Sequence, residues 1–108
     1  MDEADFGVES HDLDLTRMLL LHLTQQERSP PEAFFVSLTD LGGLWRASPD
    51  DVARAFAFLS GHDFIEGPGR FDPDFFLFRK VTAKGRVLAR AIGRPRDWEA
   101  IKAHYLAP

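Results

Sequence analysis

Cysteine is absent from the 108-residue sequence, which excludes disulfide bonds and thiolate metal sites and implies no oxidising compartment. Long apolar runs are absent as well. Stretches such as Met18 to Leu21 fall far short of the ~20 residues that a membrane-spanning helix requires, so no membrane partner is expected. The sequence starts with acids, whereas a secretory leader starts with basic residues and an apolar run; a cytoplasmic protein is the expectation. Patterns that carry chemistry are scarce too. His11, His22, His62 and His104 include no pair at i, i+4 and no HExxH spacing. His22 lies beside core positions of a helix and reads as a core or boundary residue. The acid pairs Asp12/Asp14 and Asp50/Asp51 sit at helix starts, and Asp72/Asp74 in a turn, so each has a simpler role than acid–base or cation chemistry. Gly67-Pro68-Gly69 precedes no helix and lacks the dipole that a phosphate loop uses. No nucleophile stands at a recognisable spacing from a base. The chain therefore reads as a non-enzyme without catalytic residues, cofactor or metal.

What is present suits one globular unit. Hydrophobic residues make up 44% and charged residues 28%, proportions that can bury a core. Ten Phe and two Trp separate the chain from disordered sequences, which are poor in aromatics. The length fits one compact domain. We read residues 1–10 as a flexible acidic tail and residues 11–108 as the domain. Charge is spread unevenly: residues 1–14 carry −6, residues 15–78 carry −4 and residues 79–108 carry +6, for a net −4. An acidic protein gains no long-range attraction to nucleic acid, yet a basic final third can still face phosphates. The plainer reading of those bases is solvated helix faces, some paired with the acidic start.

Periodicity and punctuation place the elements. A first helix is predicted from His11 or Asp12 to Gln26, capped by Asp12, with Leu15, Met18, Leu19 and Leu23 inward. Ser29-Pro30-Pro31 ends it. Ala33 to Val36 reads as a short strand. Ser37 or Thr39 caps a short second helix that Gly42 and Gly43 weaken. Ser48-Pro49-Asp50-Asp51 is the sharpest signal: a cap, a first-turn proline and acids at the positive end of a third helix. Val52, Ala55, Phe56 and Leu59 give that helix its apolar face, and it stops near Ser60 or Gly61. Phe64 to Glu66 and Phe75 to Val81 then form a hairpin whose loop spans about eight residues. Thr82 caps a fourth helix closed by Gly93, and Arg94-Pro95 starts a last one with Trp98, Ile101 and Tyr105 on one face. The fold class is α+β, mainly α. Two helices joined through Trp45-Arg46-Ala47-Ser48 and followed by a hairpin match a winged helix-turn-helix with additional C-terminal helices.

Three segments resemble a known family. They are Leu13 to Leu20, Phe58-Leu59-Ser60-Gly61-His62-Asp63-Phe64-Ile65-Glu66-Gly67, and Val81-Thr82-Ala83-Lys84-Gly85-Arg86-Val87-Leu88 followed by Trp98 and Lys102. The last is similar to the Leu-Thr-x-x-Gly-x-x-Leu … Trp-x-x-x-Lys close of the domain-of-unknown-function 2513 family, uncharacterised bacterial and phage proteins. The resemblance implies a winged helix and brings no assigned activity. Asp63 stands where such domains carry Gly, a place that needs a left-handed backbone, which Asp tolerates better than most.

Two functions follow from this reading. In a winged helix the third helix enters the major groove and the wing touches the backbone, which makes double-stranded DNA a partner and the protein a transcriptional regulator. The candidate DNA-binding residues are then Arg46, Ser48, Arg54, Arg70, Arg79, Lys80, Lys84 and Arg86. Against this, the third helix holds one base and two acids. The alternative is a protein-interaction or scaffold module that uses the fold without DNA. Phe75 to Phe78 put apolar groups on both faces of a strand, and Leu20, Leu21, Phe58 and the Trp98/Ile101/Tyr105 stripe exceed a minimal core. A homodimer through the first and last helices would bury that surplus.

Overall fold

The structure, a computed structural model, describes residues 10–106. The expectation for the acidic tail lies outside the described residues, except at Ser10, which already belongs to a helix. The chain is mainly helical with a small antiparallel sheet, in the order α1 (Ser10–Gln26), β1 (Phe34–Ser37), α2 (Leu38–Trp45), α3 (Pro49–Gly61), β2 (Ile65–Glu66), β3 (Gly69–Asp72), β4 (Phe75–Phe78), β5 (Lys80–Val81), α4 (Ala83–Ile92) and α5 (Pro95–Leu106). Asp12 lies inside α1 instead of capping it, because the helix reaches two residues further back.

Local chemistry explains the helix starts. The hydroxyls of Ser37, Ser48 and Thr82 each accept a hydrogen bond from the backbone N–H three residues on, at Asp40, Asp51 and Gly85. Pro49 opens α3 where its missing N–H costs nothing. The turn between α2 and α3 uses an unexpected device. Arg46 adopts a left-handed backbone (φ 56), and Ala47 N–H donates to the Gly42 carbonyl at 2.8 Å. A Cβ on Gly42 would stand 2.5 Å from the Ala47 carbonyl oxygen, so that glycine is what lets the turn close. Asp63 takes the left-handed conformation expected of it (φ 61). Gly93 closes α4 as its position predicts, in a right-handed conformation (φ −66). The end of α4 needs no left-handed cap, because Arg17 Nε of α1 donates to the Ile92 carbonyl at 2.7 Å.

Val52, Ala55, Phe56 and Leu59 of α3 are buried as their spacing predicts. α1 packs across α3, α4 and α5, placing Leu13, Leu19, Leu20 and Leu23 in the same core. The ring of Phe56 stacks on Phe76 of β4 at 4.1 Å, and Phe34 meets Phe78 edge-on at 5.6 Å. Burial of each such ring contributes about 1.5–3 kcal/mol.

The β-ribbon differs from the expected single hairpin. Its base is β2 paired with β5 (Ile65↔Val81, Glu66↔Lys80). Beyond it, β3 pairs with β4 and β4 pairs with β1, giving a three-stranded order β1-β4-β3. Half of the eight-residue loop expected from Gly67 to Asp74 is thus strand. Pro68 supplies no N–H and interrupts the outgoing strand. The Asp72 carboxylate accepts from the N–H groups of Asp74 (2.8 Å) and Phe75 (3.1 Å), which folds the return into a tight turn. Asp74 then reaches α2. Its carboxylate accepts from Ser37 Oγ (2.9 Å), Thr39 N–H (2.9 Å) and the Thr39 hydroxyl, and its carbonyl accepts from Leu38 N–H at 2.7 Å.

The Thr-x-x-Gly element closes the ribbon base. Thr82 N–H donates to the Phe64 carbonyl at 3.0 Å and its hydroxyl to the Asp63 carbonyl at 2.6 Å. A Cβ on Gly85 would lie 1.9 Å from that Phe64 carbonyl oxygen, a backbone atom held in the ribbon base, and 2.7 Å from Val81 Cγ1. Gly43, by contrast, faces open space. Gly85→Ala is therefore expected to destabilise the fold by about 3 kcal/mol or more, whereas Gly43→Ala should stabilise it by about 0.5–1 kcal/mol. Urea denaturation of the two variants checks this; equal effects would contradict the packing around Gly85.

Candidate functional site

The eight cation-centred candidates do not assemble into one basic face. Ser48 spends its hydroxyl on the α3 cap. Arg54 is ion-paired to Asp51 one turn earlier on the same helix. Arg70 turns back to the Pro73 carbonyl at 2.7 Å. Arg79 is ion-paired to Glu66 across the ribbon base. Lys84 donates to the His62 carbonyl at 2.9 Å, near the C-terminal end of α3. Arg86 forms a fork onto both oxygens of Glu27, at 2.6 Å each, behind α1. Only Arg46 and Lys80 of the set show no side-chain partner among the described residues. They lie on different elements, one after α2 and one in β5. The exposed stripe of α3 is Asp50, Arg54, Ala57 and Ser60, so its single cation is already neutralised and its remaining positions are acidic or small. The ribbon tip does not project as a separate arm either, since Asp74 fastens it to α2.

A different surface stands out on the outer side of the sheet. Strand alternation turns Val36, Phe76 and Phe78 inward, where all three are buried. It turns Phe35, Phe75 and Leu77 outward. Phe35 is 55% exposed and Phe71 66%, yet the two rings touch edge-on at 5.2 Å, and Phe35 meets Phe75 at 5.7 Å. Gly69 pairs with Leu77 and, having no side chain, leaves that leucine half-open. Apolar groups on both strand faces were legible in Phe75 to Phe78. Phe35 and Phe71 were not singled out, although two adjacent phenylalanines in a strand must place one ring outside.

Beside this patch, a cleft of about 360 Å³ runs between β1 and the second half of α1, with His22, Gln26, Arg28, Ser37 and Asp40 among its walls. The Arg28 guanidinium lies over the Phe34 ring at 4.7 Å. His22 is half-buried, as its boundary position implied, and stands edge-on to Trp45 at 5.4 Å. No group of three or more His, Asp or Glu suited to a metal ion occurs among the described residues, and no described helix is long and apolar enough to cross a membrane.

The apolar surplus assigned to the first and last helices is used inside the chain. Leu20 and Trp98 are buried, and Leu21, Phe58 and Ile101 pack against the same core. Asp14 explains the docking of α5: it accepts from Trp98 Nε1 at 3.0 Å and from Lys102 Nζ at 3.3 Å. The surface on which the α1/α5 dimer was expected is therefore largely an intramolecular contact. The side chain of Tyr105 lies outside the described residues.

Burial holds the His22 imidazole below its ordinary pKa of 6.5. The unfolded chain then binds the proton more readily, so stability rises with pH across this range. His22 is expected to contribute full stability above the unfolded value and to lose it as pH falls from 6.5 towards the lowered folded value. His22→Gln should flatten that part of the curve in urea unfolding at stepped pH; an unchanged slope would assign it to other groups.

No family model matches the chain, and no match was found among curated proteins or solved structures.

Proposed function

We propose that this chain is a winged-helix domain that docks a protein partner through its sheet and does not read DNA. Support for the fold comes from the helix pair α2–α3, joined by a left-handed turn at Arg46 and followed by an antiparallel ribbon. The resemblance to the domain-of-unknown-function 2513 family agrees with that element order and assigns no activity, so the functional reading rests on the surface alone.

One observation carries it. The exposed aromatic cluster Phe35/Phe71/Phe75 sits on a face that the other described residues leave uncovered, while most of the cations that a DNA reader would use are engaged within the chain. Contiguous exposed aromatics mark docking sites, and aromatic side chains dominate binding at such sites. A phosphate-binding surface needs free Lys and Arg, each releasing counterions on contact. Here Arg54, Arg79 and Arg86 would first have to leave Asp51, Glu66 and Glu27.

Two measurements test the reading. Duplex binding is expected to be absent at low and at physiological salt. Affinity that is micromolar or tighter at low salt, falls steeply as salt rises and weakens in Arg46→Ala or Arg54→Ala would restore the DNA assignment. Phe71→Ser should cost less than about 1 kcal/mol of stability, the usual range for a surface site, because the ring does little for the core. A loss several times larger would make the cluster structural and remove the case for docking.

A further inference from the structure

We propose, resting on the protein-docking reading, that the partner seated on this sheet is a second copy of the chain. The two copies join through the free edges of β1 to make one continuous six-stranded sheet.

The argument starts from hydrogen-bond phase. In an antiparallel ladder, bonded and non-bonded residue pairs alternate. Leu38 N–H donates to the Asp74 carbonyl, and the register continues as Ser37↔Phe75, Val36↔Phe76, Phe35↔Leu77 and Phe34↔Phe78. Val36 and Phe34 therefore share the bonded class with Leu38. Phe35 and Ser37 point their N–H groups, and Phe35 its carbonyl, away from β4. No backbone partner outside the ladder meets these groups among the described residues. An exposed strand edge is a template for another strand.

The opposite edge of the sheet is protected. β3 carries a bulge between Arg70 and Asp72, and Gly69 at its start has a positive φ of 104; bulges twist an edge out of pairing. β1 has no bulge, proline or lysine, and the adjoining cleft leaves its edge accessible.

The edge also fits itself. Antiparallel pairing about a two-fold through Val36 sets Phe35 opposite the partner's Ser37 and Ser37 opposite the partner's Phe35. The Ser37 N–H of each copy then meets the partner's Phe35 carbonyl, twice by symmetry. Phe35 rings of the two copies become diagonal neighbours, a separation that aromatic side chains can bridge, and the exposed clusters merge into one band. Charge agrees with this direction. Arg28 marks the Phe34 end of β1 through its contact with that ring. Asp40 marks the Ser37 end, its N–H bonded to Ser37 Oγ. Antiparallel pairing brings each Arg28 towards the partner's Asp40, twice by symmetry, as a two-fold interface requires.

Sedimentation equilibrium over micromolar to sub-millimolar concentrations tests this on the full chain. A reversible dimer is expected. Phe35→Pro removes an N–H that the ladder does not use and should weaken association tenfold or more. Val87→Ser, on the exposed side of α4, should retain the dimer, and Arg28→Glu should weaken it while Arg28→Glu with Asp40→Arg restores it. Should Phe35→Pro not fold, amide exchange decides the matter in the wild type. The Ser37 amide should gain protection as the dimer forms, whereas Val36 is protected throughout. A chain that stays monomeric, a dimer unaffected by Phe35→Pro, or a Ser37 amide that exchanges freely in the dimer would each overturn the proposal. The monomeric outcome would leave docking of a different protein to be judged by the duplex-binding and Phe71→Ser measurements, so the two readings fail separately.

Discussion

The carboxylate of Asp74 is the contact on which the arrangement of this molecule turns. It accepts from Ser37 Oγ, Thr39 N–H and the Thr39 hydroxyl, so the ribbon turn supplies acceptors to the first turn of α2. Four N–H groups at any helix start lack intrahelical partners, and a residue 35 positions away satisfies one of them. These hydrogen bonds, chiefly the Thr39 hydroxyl's, hold the Asp74 carboxyl below the usual carboxylate range despite an opposing desolvation. The same contact sets the pairing of β1 with β4. Leu38 bonded to the Asp74 carbonyl determines which residues of β1 face inward along the ladder and which face out. Both the stubby ribbon and the free edge at Phe35 follow from it.

Charge is handled in a way that sets this domain apart from a phosphate binder. The basic final third is real in composition, but several of its side chains close the fold. Arg86 ties α4 to Glu27 beyond the end of α1. Lys102 and Trp98 tie α5 to Asp14, and Lys84 satisfies a carbonyl where α3 ends. Most of these pairs are solvent-exposed, and such pairs contribute little to stability, about 0–1 kcal/mol each. Their larger consequence is to occupy cations, leaving the outer surface of α3 small and slightly acidic. The conspicuous feature that remains is apolar. It lies on the sheet and not on the helix pair that the fold suggests.

Much of this was legible from residue patterns. Ser48-Pro49-Asp50-Asp51 marked the start of α3 because capping is local chemistry, and Val52, Phe56 and Leu59 marked its buried face because helical spacing needs no distant partner. Thr82 and Asp63 were read correctly for the same reason. The errors occur where a distant group intervenes. The residues from Gly67 to Asp74 were read as loop, and pairing with a β4 already held by β1 made half of them strand. Leu20 and Trp98 were read as surface surplus, and Asp14 drew α5 over α1 to bury them.

The amino-acid order alone determined the helices, the caps at Ser48 and Thr82, the apolar face of α3 and the α+β class, since each depends on neighbours within a few residues. Tertiary structure decided which cations are free, which sheet edge is open and which aromatic rings remain outside. Those properties depend on contacts between elements, spanning up to 88 positions, and a free charge or an unpaired edge is defined by what the rest of the chain fails to reach.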